Sequence, residues 1–147
     1  MTSLLVVDAS ELFSLFKEGS ARKILIEKSL PQNEYELISP AYALGELFKD
    51  KEKIMKFSGI DEAAFTVMFS LITLHVSPIP EDEYSEFMPE AEQLAPHSKD
   101  APYFAVALAK DCAIWSGEKA FKKQGKVKVV TTAELLEELK DFRNTNA

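Results

Sequence analysis

The sequence predicts a single α/β domain: a three-layer sandwich in which a parallel sheet of about five strands is covered by helices on both faces. Three observations carry that prediction. Short runs such as LLVV at 4–7 are too continuously apolar for half-exposed, alternating strands. Segments with apolar residues at helical spacing separate these runs, and strand and helix alternate along the chain, as a parallel sheet with helical crossovers requires. The 147 residues suit one domain, and 46% apolar content, with ten Phe, four Tyr and one Trp, supplies a sizeable core.

The elements follow in order. Residues 4–8, LLVVD, read as a buried first strand that ends on a carboxylate. ELFSLFK at 11–17 places Leu12, Phe13, Leu15 and Phe16 at helical spacing, with Ser10 as the expected N-cap. Gly19-Ser20 breaks that helix, and a second is expected over 21–30 with Ile24, Leu25 and Leu30 on its apolar side. Pro31 and Asn33 mark a turn before the second strand, YELIS at 35–39. Ser39-Pro40 reads as a serine cap with proline in the first turn, opening a helix that runs to about Phe57. Gly45 inside it costs about 1 kcal/mol relative to Ala, which close packing or ligand approach would explain. Ser58-Gly59 ends it, and Asp61 opens a further helix to about residue 73.

HVSPI at 75–79 is the third strand, followed by an acidic amphipathic helix over 81–95 with Pro89 as a kink or break. His97-Ser98-Lys99-Asp100 forms a polar loop. APYFAVALAK at 101–110 is apolar nearly all round, hence a buried helix. Its Pro102 belongs in the first turn, which puts Asp100 or Lys99 near the N-cap. CAIWS at 112–116 and KVKVVT at 126–131 are the fourth and fifth strands, with a helical turn or two between. Thr131 and Glu134 have capping-box spacing and open the final helix. The domain is expected over 1–140, with 141–147 a polar, frayed tail.

Composition narrows the function classes. Cys112 is alone, so an intramolecular disulfide is excluded and a reducing compartment fits; there is no Cys/His zinc spacing. The start of the chain lacks the pattern of a signal peptide, and no apolar stretch reaches the length of a membrane span. The expected location is the cytoplasm, with no membrane partner. A net charge of −7 argues against a nonspecific nucleic-acid coat protein. The charge is uneven, however: Lys119, Lys122, Lys123, Lys126 and Lys128 cluster, with Glu118 the one neighbouring acid.

Ligands of open parallel sheets bind beyond the carboxyl ends of the strands. Asp8 ends the first strand, Glu46 lies two turns into the helix after the second, Asp100 opens the buried helix, and Glu118 follows the fourth strand. With parallel strands, all four fall on one edge. Four carboxylates there repel one another unless a divalent cation joins them, and Mg2+ or Mn2+ prefers oxygen donors. Such a site activates water and neutralises a phosphodiester. Each acid also has a plainer reading: Asp8 and Asp100 as helix caps, Glu46 as a solvated helix residue, Glu118 as a favourable first-turn charge.

At these residues the chain resembles the PIN-domain family, metal-dependent ribonucleases that include the VapC-type toxins. The likeness spans about residues 4–139. VVDAS resembles the family's first motif at Asp8; ISPAYALGELFK the second, at Glu46; SKDAPYFAVALA the third, at Asp100. IWSGEKAFKK resembles the fourth, in which Ser116 matches the usual Thr or Ser and Glu118 stands where the family has Asp. The resemblance implies a five-stranded parallel sheet, a Mg2+ or Mn2+ site built by Asp8, Glu46, Asp100 and Glu118, and RNA cleavage at those residues. It also implies a possible antitoxin partner and a homodimer. Glu118 is one methylene longer than Asp, which matters because Mg2+ is demanding in geometry. Ser116, Lys119, Lys122 and Lys123 are candidate substrate-binding residues, the lysines through the phosphate backbone.

Two other classes compete. One is a PIN-like scaffold that binds RNA or protein without cutting, for which Glu118 is the one hint. The other is an aspartyl phosphotransferase or receiver, which also sets Asp after a strand. A dehalogenase-type phosphatase needs a second Asp where Ser10 stands, and no glycine-rich phosphate loop is present.

Overall fold

The computed structural model describes residues 3–14, 30–32 and 34–145. The helix expected over 21–30 lies outside these, apart from Leu30. The described elements are β1 (Ser3–Val7), α1 (Ala9–Ser14), a helical turn at Leu30–Gln32, β2 (Tyr35–Pro40), α2 (Ala41–Lys49), α3 (Lys51–Ser58), α4 (Glu62–His75), β3 (Val76–Ile79), α5 (Met88–Leu94), α6 (Ala101–Lys110), β4 (Ala113–Trp115), β5 (Val129–Val130) and α7 (Thr132–Thr145).

The five strands form one sheet in the order β3-β2-β1-β4-β5, and every pairing is parallel. β1 is central, with Val6 opposite Ile38 on one side and Ile114 on the other. The pleat sends alternate side chains to opposite faces. Leu5, Val7, Leu37, Val76, Trp115 and Val130 pack on one face against Leu12, Leu44, Leu47, Ile54, Phe65, Ile72, Leu135 and Leu139. Val6, Ile38, Ile79, Ile114 and Val129 pack on the other against the buried side chains of α6, with Tyr84, Ala91 and Phe121. Both faces are covered, which is why the strands read as continuous apolar runs.

Several local expectations need correction. The helix predicted from 40 to 57 is two, α2 and α3, broken at Asp50, whose backbone N–H reaches the carbonyls of Glu46 and Phe48. Ser39 does not cap α2. It lies within β2, and its hydroxyl donates to the Val7 carbonyl of β1 at 3.1 Å. The added Cβ of a residue at Gly45 would meet nothing within 4 Å, so close packing does not explain that glycine. Residues 81–87 form 3-10 turns rather than a long helix, and Pro89 sits in the first turn of α5. Proline at that position is tolerated because the first-turn N–H groups have no helical partner.

Other signals read correctly. Gly59 ends α3 in the left-handed conformation at φ 67°. Asp61 caps α4 by accepting from the Ala64 N–H at 2.8 Å. The capping box of α7 is reciprocal: Glu134 N–H donates to Thr131 Oγ1 and Thr131 N–H to Glu134 Oε1.

Candidate active site

Three kinds of connection bring acids to one edge. β1 delivers Asp8 directly, and β4 delivers Ser116, Gly117 and Glu118 one strand away. β2 feeds α2, which carries Glu46. α6 runs back over the sheet towards the start of β4, so its first residues lie at the carboxyl edge, where Asp100 stands. Asp8, Glu46, Asp100 and Glu118 all line a cleft of roughly 460 Å³ there.

Asp8 serves α1 with its backbone and the loop after β4 with its side chain. Its carbonyl accepts from the N–H groups of Glu11 and Leu12, so its backbone starts α1. Its side chain, only 7% exposed, accepts from the Ser116 hydroxyl at 2.7 Å. Ser116 is itself 1% exposed and accepts from the Glu118 N–H at 3.0 Å. Its hydroxyl thus ties the Asp8 carboxylate to the backbone of Glu118, and Ser116 is not among the residues that line the cleft.

Asp100 occupies the cap position of α6, yet its side chain makes no capping hydrogen bond. Burial, then the neighbouring Asp8, holds its carboxyl above the usual aspartate value; Lys99 and His97 pull it down, and Glu118 adds to the rise. Asp100 therefore feels the charge of both Asp8 and Glu118. Glu46 is half-exposed and 3.6 Å from Lys49 in an i,i+3 pair.

The cleft holds more than was anticipated. Asp50 is a fifth acid on its wall, placed by the α2–α3 break. Its spacing of four from Glu46, one helical turn, was the signal available in the sequence. Lys99, His97, Tyr42 and Tyr103 also line the cleft, and among the described residues Lys99 is its one lysine. Lys119, Lys122 and Lys123 do not line it. Lys122 is paired with Glu134 at the start of α7.

The donor chemistry suits a hard divalent cation: carboxylate oxygens, one of them held above its ordinary pKa by burial and then by its acidic neighbours. Among the described residues, no three acid, histidine or cysteine side chains are gathered into a ready coordination shell. The fit therefore lies in charge and donor type.

A profile of the PIN domain matches residues 6–140, and the chain belongs to the PIN-domain family. Members of that family are generally nucleases that use a divalent metal. The fold is similar to that in the crystal structure of VapBC2 from Rickettsia felis bound to a DNA fragment from its promoter. That similarity has a TM-score of 0.64 and 13% identity over 87% of this chain and 98% of that one. It is also similar to PAE2754 from Pyrobaculum aerophilum, with a TM-score of 0.67 and 16% identity over 95% of this chain and 90% of that one. No curated protein matches the sequence. Among the described residues no single helix is long and apolar enough to cross a membrane.

Proposed function

We propose that the protein is a divalent-metal-dependent endoribonuclease that hydrolyses RNA phosphodiester bonds at the cleft. The single observation that carries this reading is the shared cleft of Asp8, Glu46, Asp100 and Glu118, delivered by four different parts of the chain. Asp8, Glu46, Asp100 and Glu118 would hold the Mg2+ or Mn2+. When bound, the ion supplies positive charge to the phosphate and lowers the pKa of water.

The chain's own residues do the rest. Ser116 fixes the Asp8 carboxylate through its 2.7 Å hydrogen bond. Asp100, desolvated and facing Asp8, is the carboxyl most in need of a positive partner. Lys99 and His97 stand on the same wall and offer donors to phosphate oxygens of an incoming strand. Water would add to phosphorus in line as the P–O3' bond breaks, the water giving up a proton to solvent and the 3'-oxygen leaving as a hydroxyl after taking one up. No protein side chain is needed as a covalent nucleophile. By analogy with VapBC2, an antitoxin is the proposed regulatory partner; a homodimer, which the family resemblance implies, is the proposed assembly.

A second reading, a PIN scaffold that binds without cutting, draws on one observation: the acids are not gathered into a ready shell. Incubation of a mixed RNA pool with and without Mn2+ separates the two. The nuclease reading expects Mn2+-dependent cutting that Asp8→Asn abolishes. Metal binding without cutting of a broad RNA panel supports the scaffold, and no metal binding at all refutes the site.

A further inference from the structure

Glu11 is a buried carboxylate that the proposed chemistry does not use. It is 3% exposed, and it lies one helical turn after Asp8 on α1. Its Oε1 accepts from the Gly117 N–H at 2.8 Å. Its Oε2 accepts from Thr132 Oγ1 at 3.3 Å, and that hydroxyl in turn accepts from Trp115 Nε1 at 3.0 Å. The carboxylate thus joins α1, the loop after β4 and the first turn of α7. Burying such a group costs several kcal/mol unless hydrogen bonds compensate, so its place here demands a reason.

The reason lies in what the loop carries. Ser116, Gly117 and Glu118 belong to no helix or strand. Two consecutive N–H groups of this loop are held from the same side: Gly117 by Glu11, and Glu118 by the Ser116 hydroxyl that also donates to Asp8. A Cβ at Gly117 would come within 3.0 Å of Glu11 Oε1, so a glycine permits this close approach. We infer that Glu11 is a positioning residue that holds the Ser116–Glu118 loop against Asp8 and so sets where Glu118 stands in the cleft. The contact itself stands on geometry. Its consequence for metal binding and cleavage rests on the function proposed above.

The test uses amide hydrogen exchange by NMR on the full chain, with Mn2+ titration by calorimetry. Glu11→Ala is expected to speed exchange at Gly117 by roughly ten- to a hundred-fold, as loss of a hydrogen bond to a charged group implies. Amides in the middle of α6 should stay unchanged. Glu11→Gln, which keeps an acceptor of the same shape, should show a smaller rise at the same amide. That variant keeps the inference testable if Glu11→Ala does not fold. Glu11→Ala and Glu118→Gln should each weaken Mn2+ binding, and the double variant should bind about as weakly as the worse single one, because both act through Glu118. Unchanged Gly117 exchange, or an equal rise throughout α6, overturns the assignment. Losses of Mn2+ affinity that add in full show that Glu11 does not act through Glu118. If the wild type binds no Mn2+, the nuclease reading falls, and Gly117 exchange alone decides whether Glu11 holds the loop.

Discussion

Ser116→Ala isolates the most central hydrogen bond of the site. The substitution removes one oxygen from a position that is 1% exposed, so the void is small and the loss is mainly of hydrogen bonding. Two bonds go. The one to Asp8, at 2.7 Å, has a charged acceptor and is worth about 1.5–3 kcal/mol. The one from the Glu118 N–H, at 3.0 Å, joins neutral groups beside the open cleft, where water replaces it at little cost. The expected destabilisation is therefore about 2–3 kcal/mol, or a fall in Tm of roughly 4–12 °C for a domain of this size. Urea unfolding of wild type, Ser116→Ala, Asp8→Ala and the double variant measures it. The cycle should return a coupling of about 1.5 kcal/mol or more between the two side chains. Mn2+-dependent cleavage by Ser116→Ala should drop by about ten- to a hundred-fold, because Asp8 is no longer fixed. A coupling below about 0.5 kcal/mol, with cleavage intact, would show that Ser116 neither stabilises nor orients Asp8.

Other outcomes follow from the same geometry. Asp100 has a folded-state pKa above its unfolded value, so its charge costs stability once the pH has risen through both. Asp100→Asn should therefore raise Tm at pH 7–8 by about 1–3 °C in metal-free buffer, a modest gain because the group is partly solvated, while abolishing cleavage. Glu134 is held down to about 2, first by Lys122 and then by Thr131. Its contribution is complete above its ordinary value near 4.5 and is lost as pH falls through about 2; melts of wild type and Lys122→Met across that window should converge at the acid end. Gly45→Ala, at an exposed interior position of α2 with open space for the methyl, should stabilise by about 0.5–1 kcal/mol in urea unfolding.

The fold was legible because its rules are local. LLVV and CAIW are continuous apolar runs since both faces of the sheet are covered, and buried strands carry that signature directly. Asp8 and Asp100 were legible from the topological rule that ligands gather beyond strand ends. What escaped depended on contacts distant in sequence. Ser39 has the local chemistry of a cap, yet its hydroxyl finds a carbonyl 32 residues away, and no window around Ser39 contains Val7. Glu11 reads as the polar edge of ELFSLFK until Gly117 and Thr132 are brought to it. The lysine cluster lies off the cleft lining, and its ion pairs were not legible for a related reason. Lys122, Lys126 and Lys128 are committed to Glu134, Glu90 and Glu138, acids supplied by other elements.

The central place of β1 has a consequence for synthesis. β1 is flanked by β2 and by β4, both made after it, and the hydrogen bond that fixes Asp8 spans 108 residues. A nascent chain released after α6 would already contain Asp8, Glu46 and Asp100, but β1 would keep an open edge and Asp8 would lack its serine. Assembly of the cleft therefore waits for β4 and Ser116 to leave the ribosome. Contacts this long in sequence also close slowly, because loop entropy is lost before they form. For a chain whose proposed activity destroys RNA, that ordering delays the hazard until the residues that follow β4 have been made.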